Sequence, residues 1–278
     1  MHTSIETKTD MDKKLGLKLL FKSPFSVIMG GLRAQENEFY KGKLKAEYGI
    51  TQLPTINLLD LFPDLDEELN FYSFLGGTSL VTDLILLKSL ARRYDNCSYL
   101  EIGSWRGESI SNVRDVTNDV TSLTLSSEEM KAMNFGDDFI KVHGVFSNHI
   151  SDITKIEKNS LTFDFKELNK KFDLTFVDGD HSYKGVLNDS KKVFPLRKDE
   201  KSIIVWHDYG FNTEDVRYTT LKAILDGIPK EKHGNLYHVS NTMCAIYIED
   251  ATFKTTQIKF PTFPDKIFSL KLKATKLK

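Results

Sequence analysis

The chain has 278 residues, 40% of them hydrophobic, with 38 lysines and arginines against 39 aspartates and glutamates and a net charge of -1. That is ample apolar material for a large core, and so even a balance lacks the basic field that a nucleic-acid partner requires. Two cysteines far apart, Cys97 and Cys244, are too few for a disulfide framework or a zinc cluster and read as buried thiols.

The first residues, MHTSIETKTDMDKK, lack the apolar core of a signal peptide, and no apolar run approaches the ~20 residues that cross a bilayer. A cytoplasmic protein without a transmembrane segment is expected. Residues 1–75 mix lysines with large apolar residues and read as short helices broken at Pro24 and Gly30-Gly31, then as loop with short ordered pieces. They form an N-terminal helical extension, a lid or a partner surface, with a homodimer contact among the alternatives left open.

From residue 78 the pattern becomes regular. Thr78 or Ser79 is expected to cap a helix with Leu80, Leu84, Leu87 and Ala91 on one face. CSYLEIG is a buried strand, and SWRGESISNVRDV turns into a helix. VTSLTLS reads as a second strand, FIKVHGVFS as a third and FDLTFVDG as a fourth. A helix with Val186, Leu187, Val193 and Phe194 on one stripe follows, and SIIVWHD is the fifth strand. TTLKAILDGI is a helix, and NLYHVS and MCAIYIE close the series without a helix between them. Short apolar strands alternating with helices make a doubly wound, mostly parallel α/β sheet, and the closing pair implies one antiparallel edge strand. Residues 76–250 form this core. The last segment, 251–278, carries seven lysines against one aspartate, interleaved with Phe253, Phe260, Phe263 and Phe268. It reads as an extension that packs its rings on the core and leaves its lysines solvated, with contact to an anionic surface or membrane as the alternative.

Ligands of open parallel sheets bind where strands end and helices begin. Three such ends are chemically unusual here. YLEIGSWRGES puts Glu101, Gly103, Gly107 and Ser109 between a strand and a helix, with a G-x-x-x-G spacing unlike the dinucleotide fingerprint. FDLTFVDGDHSY brings Asp178, Asp180 and His181, and IIVWHDY brings His207 and Asp208. If the fourth and fifth strands are neighbours, the acids and His207 converge. Carboxylates so crowded repel unless a cation or proton is shared, and oxygen-rich sites with one imidazole suit Mg2+ or Mn2+.

LEIGSWRGES, FDLTFVDGDHSY and IIVWHDY, in that order, resemble the class I S-adenosylmethionine-dependent methyltransferases. Within them the chain is similar to the metal-dependent O-methyltransferases of the catechol and macrocin type. The resemblance implies a Rossmann-like seven-stranded sheet over residues 76–250. It implies a cofactor cradle of Glu101, Gly103, Ser104, Trp105, Gly107 and Ser109, a closing segment at Gly76, Gly77 and Thr78, and Asp178 at the mouth. It implies metal ligands Asp178, His207 and Asp208, and a catalytic base at Asp180 or His181, with Asp180 slightly ahead because the D-G-D turn points both carboxylates one way. An acid usually ends the second strand to hold the ribose; here that place offers Thr124 and Ser126, with acids arriving only at Glu128 and Glu129. The third strand's HGVFS lacks the frequent acid after its glycine. Trp206 is expected to face away from the ligands as core, and Tyr183 and the lone His143 read as structural.

The activity this implies is a transferase reaction, O-methylation of a small hydroxylated acceptor such as a sugar or secondary metabolite. A non-catalytic binding or scaffold protein on a degenerate fold, and a metal-dependent hydrolase using the same carboxylates, are the competing readings.

Overall fold

The computed structural model describes residues 24–249 and 251–277. The short helices expected before Pro24 lie outside the described residues. From Pro24 the chain runs as one helix, α1 (Pro24–Tyr48), straight through Gly30-Gly31, so the expected break there is absent. Pro24 costs nothing at the first helical position, where its missing N–H has no partner to lose. Two glycines cost about 2 kcal/mol in a helix interior, and packing further along offsets this. Leu44 is fully buried, and Tyr48 donates to Asp226 on a C-terminal helix of the core.

The elements that follow are β1 (Thr55–Ile56), α2 (Leu58–Leu61), α3 (Val81–Ala91), β2 (Ser98–Ile102), α4 (Glu108–Arg114), β3 (Asp119–Thr124), α5 (Ser127–Ala132), α6 (Asp137–Val142), β4 (Ile153–Glu157) and β5 (Leu174–Val177). Then come α7 (Tyr183–Val193), β6 (Ile203–Trp206), the hairpin β7 (Gly210–Asn212) and β8 (Asp215–Val216), α8 (Tyr218–Gly227), β9 (Leu236–Val239), β10 (Ala245–Tyr247) and β11 (Thr255–Thr256). The helix α3 starts after the expected cap at Thr78 or Ser79: Leu80 is its cap residue, and the Asp83 carboxylate accepts the Leu80 N–H at 2.8 Å.

Among the described residues the main sheet has nine strands, not seven, in the order β11-β1-β9-β10-β6-β5-β2-β3-β4. The seven from β9 to β4 are the doubly wound core. The two-residue strands β1 and β11, one from each flanking segment, extend the β9 edge, β1 parallel to β9 and β11 antiparallel to β1. The antiparallel strand of the closing pair is β10, and it lies inside the sheet between β6 and β9 rather than at an edge. A strand that follows its neighbour without a helix can only return antiparallel.

The expected third strand is also displaced. Residues 139–142 of that stretch belong to a helix, followed by turns, and the strand at the β3 edge is ITKIE. Only Ile153 of that edge strand is buried, so its polar composition does not read as a strand. On one face of the sheet, Leu100, Ile102, Val177, Ile204 and Trp206 pack under α7 and α8. On the other, Tyr99, Leu174, Phe176, Val205 and Ile246 pack under α3 and α4. Both cysteines are free and buried. In the C-terminal segment Phe253 sits edge-on to Tyr237 at 5.5 Å, but Phe260 and Phe263 are 83% and 91% exposed. The expected packing of that segment therefore holds for its first ring and fails for those two.

Candidate active site at the carboxyl ends of the central strands

Register assembles the site. Ile102 of β2 pairs with Val177 of β5, and Val177 pairs with Trp206 of β6. The next residues, Gly103, Asp178 and His207, therefore leave three adjacent strands at one level. Gly103 has φ +84, and a Cβ there would lie 2.3 Å from the Asp178 carbonyl oxygen. Only glycine lets the β2–α4 turn press so closely on the β5 exit.

Alternation along β6 sends His207 to the α3 face and Trp206 to the opposite face, where its indole N–H donates to Ser190 at 2.9 Å in the core. The same alternation would send Asp208 away from His207. The left-handed backbone of Asp208, φ +55, turns it back. Such a conformation costs a non-glycine residue about 1 kcal/mol or more and concentrates at functional sites.

Asp178, His207 and Asp208 each offer a ligand atom, all within 4.8 Å of one another. His207 is buried. Its Nδ1 lies 3.1 Å from Asp178 Oδ1 and 3.7 Å from Asp208 Oδ1, yet meets hydrogen-bond geometry with neither. A buried ring nitrogen without a hydrogen bond, aimed between two carboxylates, fits a divalent cation held by two oxygens and one nitrogen. Burial alone would lower the His207 pKa, but the Asp178, Asp208 and Asp83 carboxylates outweigh it and raise it well above the usual range.

Asp208 also accepts from His181 Nδ1 at 2.8 Å and from Arg217 at 3.3 Å. Burial would raise the Asp208 pKa, and the two histidines hold it far below the usual carboxylate range. His181 is half-exposed, and the Asp208 contact overcomes its partial burial and raises its pKa. Asp180 lies apart from this group: both its oxygens turn back to Ser182, accepting its N–H at 3.0 Å and its hydroxyl at 2.6 Å, while Ser182 caps α7.

The cofactor residues divide similarly. Glu101 is fully buried, and its oxygens accept from Tyr99 at 2.7 Å and Ser109 at 2.8 Å. Burial pushes it up to about 7 against the pull of those hydroxyls. Trp105 lies between the Arg106 guanidinium, 3.8 Å from its ring, and Phe139, stacked at 5.1 Å, with Gly77 against its edge. Its indole Nε1 is buried without a partner, which fits a polar ligand in this turn. Gly107, φ +86, sets the start of α4 close to Ser147.

Thr124 Oγ1 meets His143 Nε2 at 3.1 Å, and both line a cavity of about 160 Å3 with Ser104, Ser122, Gly144 and Glu157. Ser126 caps α5 by accepting from Glu129, and Glu129 accepts the Ser126 and Asn159 N–H groups. Three residues escaped the sequence reading. Glu157 stands opposite Thr124 in register and is invisible once the third strand is misplaced. Arg217 carries no motif. Asp83 sits in an apolar helical run, where an acid is itself the signal.

Tyr183 stacks on Tyr40 at 5.1 Å and donates to Asp226, so it is packing, as its place in the sequence suggests.

Fold and site together define a doubly wound α/β domain with a polar cleft at the carboxyl ends of its central strands. Residues 100–209 match the family model of a methyltransferase domain, and the three motifs on which the sequence resembles such enzymes lie within that stretch. Solved structures with similarity include a Staphylococcus aureus protein assigned as a caffeoyl-CoA O-methyltransferase, with 19% identity over 62% of this chain and 85% of that one and a TM-score of 0.45. A Bacillus cereus O-methyltransferase in complex with SAH shows 14% identity over 63% and 84%, TM-score 0.43. A TDP-rhamnose 3'-O-methyltransferase of calicheamicin biosynthesis shows 11% over 89% and 97%, TM-score 0.44. No curated protein is matched significantly.

Proposed function

We propose that the chain is an S-adenosylmethionine-dependent O-methyltransferase acting on a small hydroxylated acceptor, a sugar or secondary metabolite, assisted by Mg2+ or Mn2+. The observation that carries this reading is the meeting of Asp178, His207, Asp208 and His181 beside the glycine-bearing β2–α4 turn. S-adenosylmethionine supplies an electrophilic methyl group, and a bound cation supplies positive charge that acidifies a nearby hydroxyl. Asp178, Asp208 and His207 Nδ1 would hold the cation.

His181 is the better placed base. An ionised carboxylate can only accept, so Nδ1–H donates to Asp208 and Nε2 is left to take the acceptor's proton. Asp208 fixes the ring, and Arg217 fixes Asp208 from the opposite side. Asp180 then acts as the turn and helix-capping residue that presents His181. Trp105 and the Gly77 segment would cover the cofactor. Glu157, with Thr124, would take the place of the absent acid at the end of β3.

Residues 1–75, ahead of the core of residues 76–250, and the β7–β8 hairpin within that core would shape the acceptor side, and the chain would work in the cytoplasm. No helix among the described residues is long and apolar enough to cross a membrane. Calorimetry with S-adenosylmethionine and S-adenosylhomocysteine tests the reading directly. Micromolar binding of both is expected, and binding of neither would sink it.

A further inference from the structure

Asp83 is completely buried on α3, and no lysine or arginine is among the partners of its carboxylate. One oxygen accepts the Leu80 N–H at 2.8 Å and faces His207 Nε2 at 3.1 Å. The other accepts the Met243 N–H at 2.9 Å and lies 3.6 Å from the Cys244 thiol. Capping α3 would need only one oxygen, and an exposed acid would serve. Here the carboxylate is buried, and each of its oxygens already accepts a backbone N–H, so it meets the ring as an acceptor. The proton on the side of His207 that faces Asp83 must therefore belong to Nε2. The opposite ring nitrogen is turned into the space between Asp178 and Asp208, where it has no hydrogen-bond partner.

We propose that Asp83 is a positioning residue for the cation site: it fixes Nε2–H on His207 and so presents the Nδ1 lone pair beside Asp178 and Asp208. This rests on the cation reading above and deepens it, because it makes His207 a ligand oriented from behind. It also ties the site to the segment that would cover it. Asp83 holds the N-terminus of α3, directly after Gly76, Gly77 and Thr78, and it holds the first turn into β10 through Met243. Partners behind a metal-bound histidine set its tautomer and orientation in this way.

The test uses the full chain. Long-range 1H–15N spectra of the imidazole rings, with the His207 signal identified by its loss in His207→Gln, read which nitrogen carries hydrogen. Nε2 is expected to be protonated with and without Mg2+, and Mg2+ is expected to move only the Nδ1 signal. In Asp83→Asn, Mn2+ affinity measured by electron paramagnetic resonance is expected to fall about 10- to 100-fold, while affinity for S-adenosylhomocysteine stays unchanged. Unprotonated Nε2 in the wild type overturns the inference, as does an Asp83→Asn protein that binds Mn2+ as tightly as the wild type. The wild-type spectrum decides even if that variant fails to fold. A wild type that binds no Mn2+ overturns the cation reading and the ligand half of this inference. In that sample a displaced His207 Nε2 signal in Asp83→Asn upholds Asp83 as the partner that orients His207, and an unchanged signal overturns it.

Discussion

Glu101 offers a quantitative check on how the β2 exit is built. Its carboxyl is fully buried, and burial pushes it from its ordinary 4.5 up to about 7. A group whose pKa is raised on folding binds its proton more tightly in the native state. Its contribution is therefore complete below about pH 4.5 and is lost as the pH climbs through about 7. At about 1.4 kcal/mol per pH unit, a displacement of that size is worth about 3 kcal/mol between pH 5 and pH 8. Glu101→Gln removes the titration and keeps an acceptor for Tyr99 and Ser109, whose hydroxyls can rotate to suit the amide. Urea unfolding of both proteins at pH 5 and pH 8 gives a double difference in which every other titrating group cancels. The variant is expected to gain about 3 kcal/mol relative to the wild type on going to pH 8. Parallel pH dependences would refute the placement of Glu101 in the interior. Because the carboxyl is turned inward, the affinity of Glu101→Gln for S-adenosylhomocysteine should stay close to that of the wild type.

Gly103→Ala puts a Cβ 2.3 Å from the Asp178 carbonyl at a left-handed φ; conformational cost plus overpacking should remove about 2–5 kcal/mol, read as a lowered urea midpoint. Gly136→Ala, where a Cβ meets nothing within 4 Å, should stay within about 0.5 kcal/mol of the wild type; equal losses in the two variants would count against the close turn. His181→Gln should lower kcat about 100-fold or more while leaving S-adenosylhomocysteine affinity intact, whereas Asp180→Asn should cost about 1 kcal/mol of stability through the turn before α7 and little of kcat. The reverse ranking in a methyl-transfer assay would return the base to Asp180.

The central strands were legible because β2, β5 and β6 are buried on both faces and read as short, mainly apolar runs. Once those strands are placed, parallel register puts the residues after Ile102, Val177 and Trp206 side by side, so the site could be read from the sequence together with the sheet. The third strand was not legible for the opposite reason. ITKIE lies at the outer edge with most of its side chains in solvent, while the more apolar FIKVHGVFS is spent on a helix and turns above the β3 end. That one displacement hid Glu157. Strands of two residues such as β1 and β11 have no periodicity to read, so the extension of the sheet beyond seven strands could not be seen either.

The deeper failure of one-dimensional reading concerns which way a polar group turns. D-G-D in sequence suggests two carboxylates entering one pocket, yet Ser182 offers Asp180 two donors at 2.6–3.0 Å and captures it locally. Strand alternation sets Asp208 on the side opposite His207, yet a left-handed backbone at that single residue returns it. Local donors decided the first case and tertiary context the second. Asp83 combines both effects: its spacing to Leu80 is that of a helix cap, and its contact with His207 spans 124 positions. Candidate ligand residues can therefore be picked out by type and spacing, whereas the residue proposed to orient one of them could be found only from coordinates.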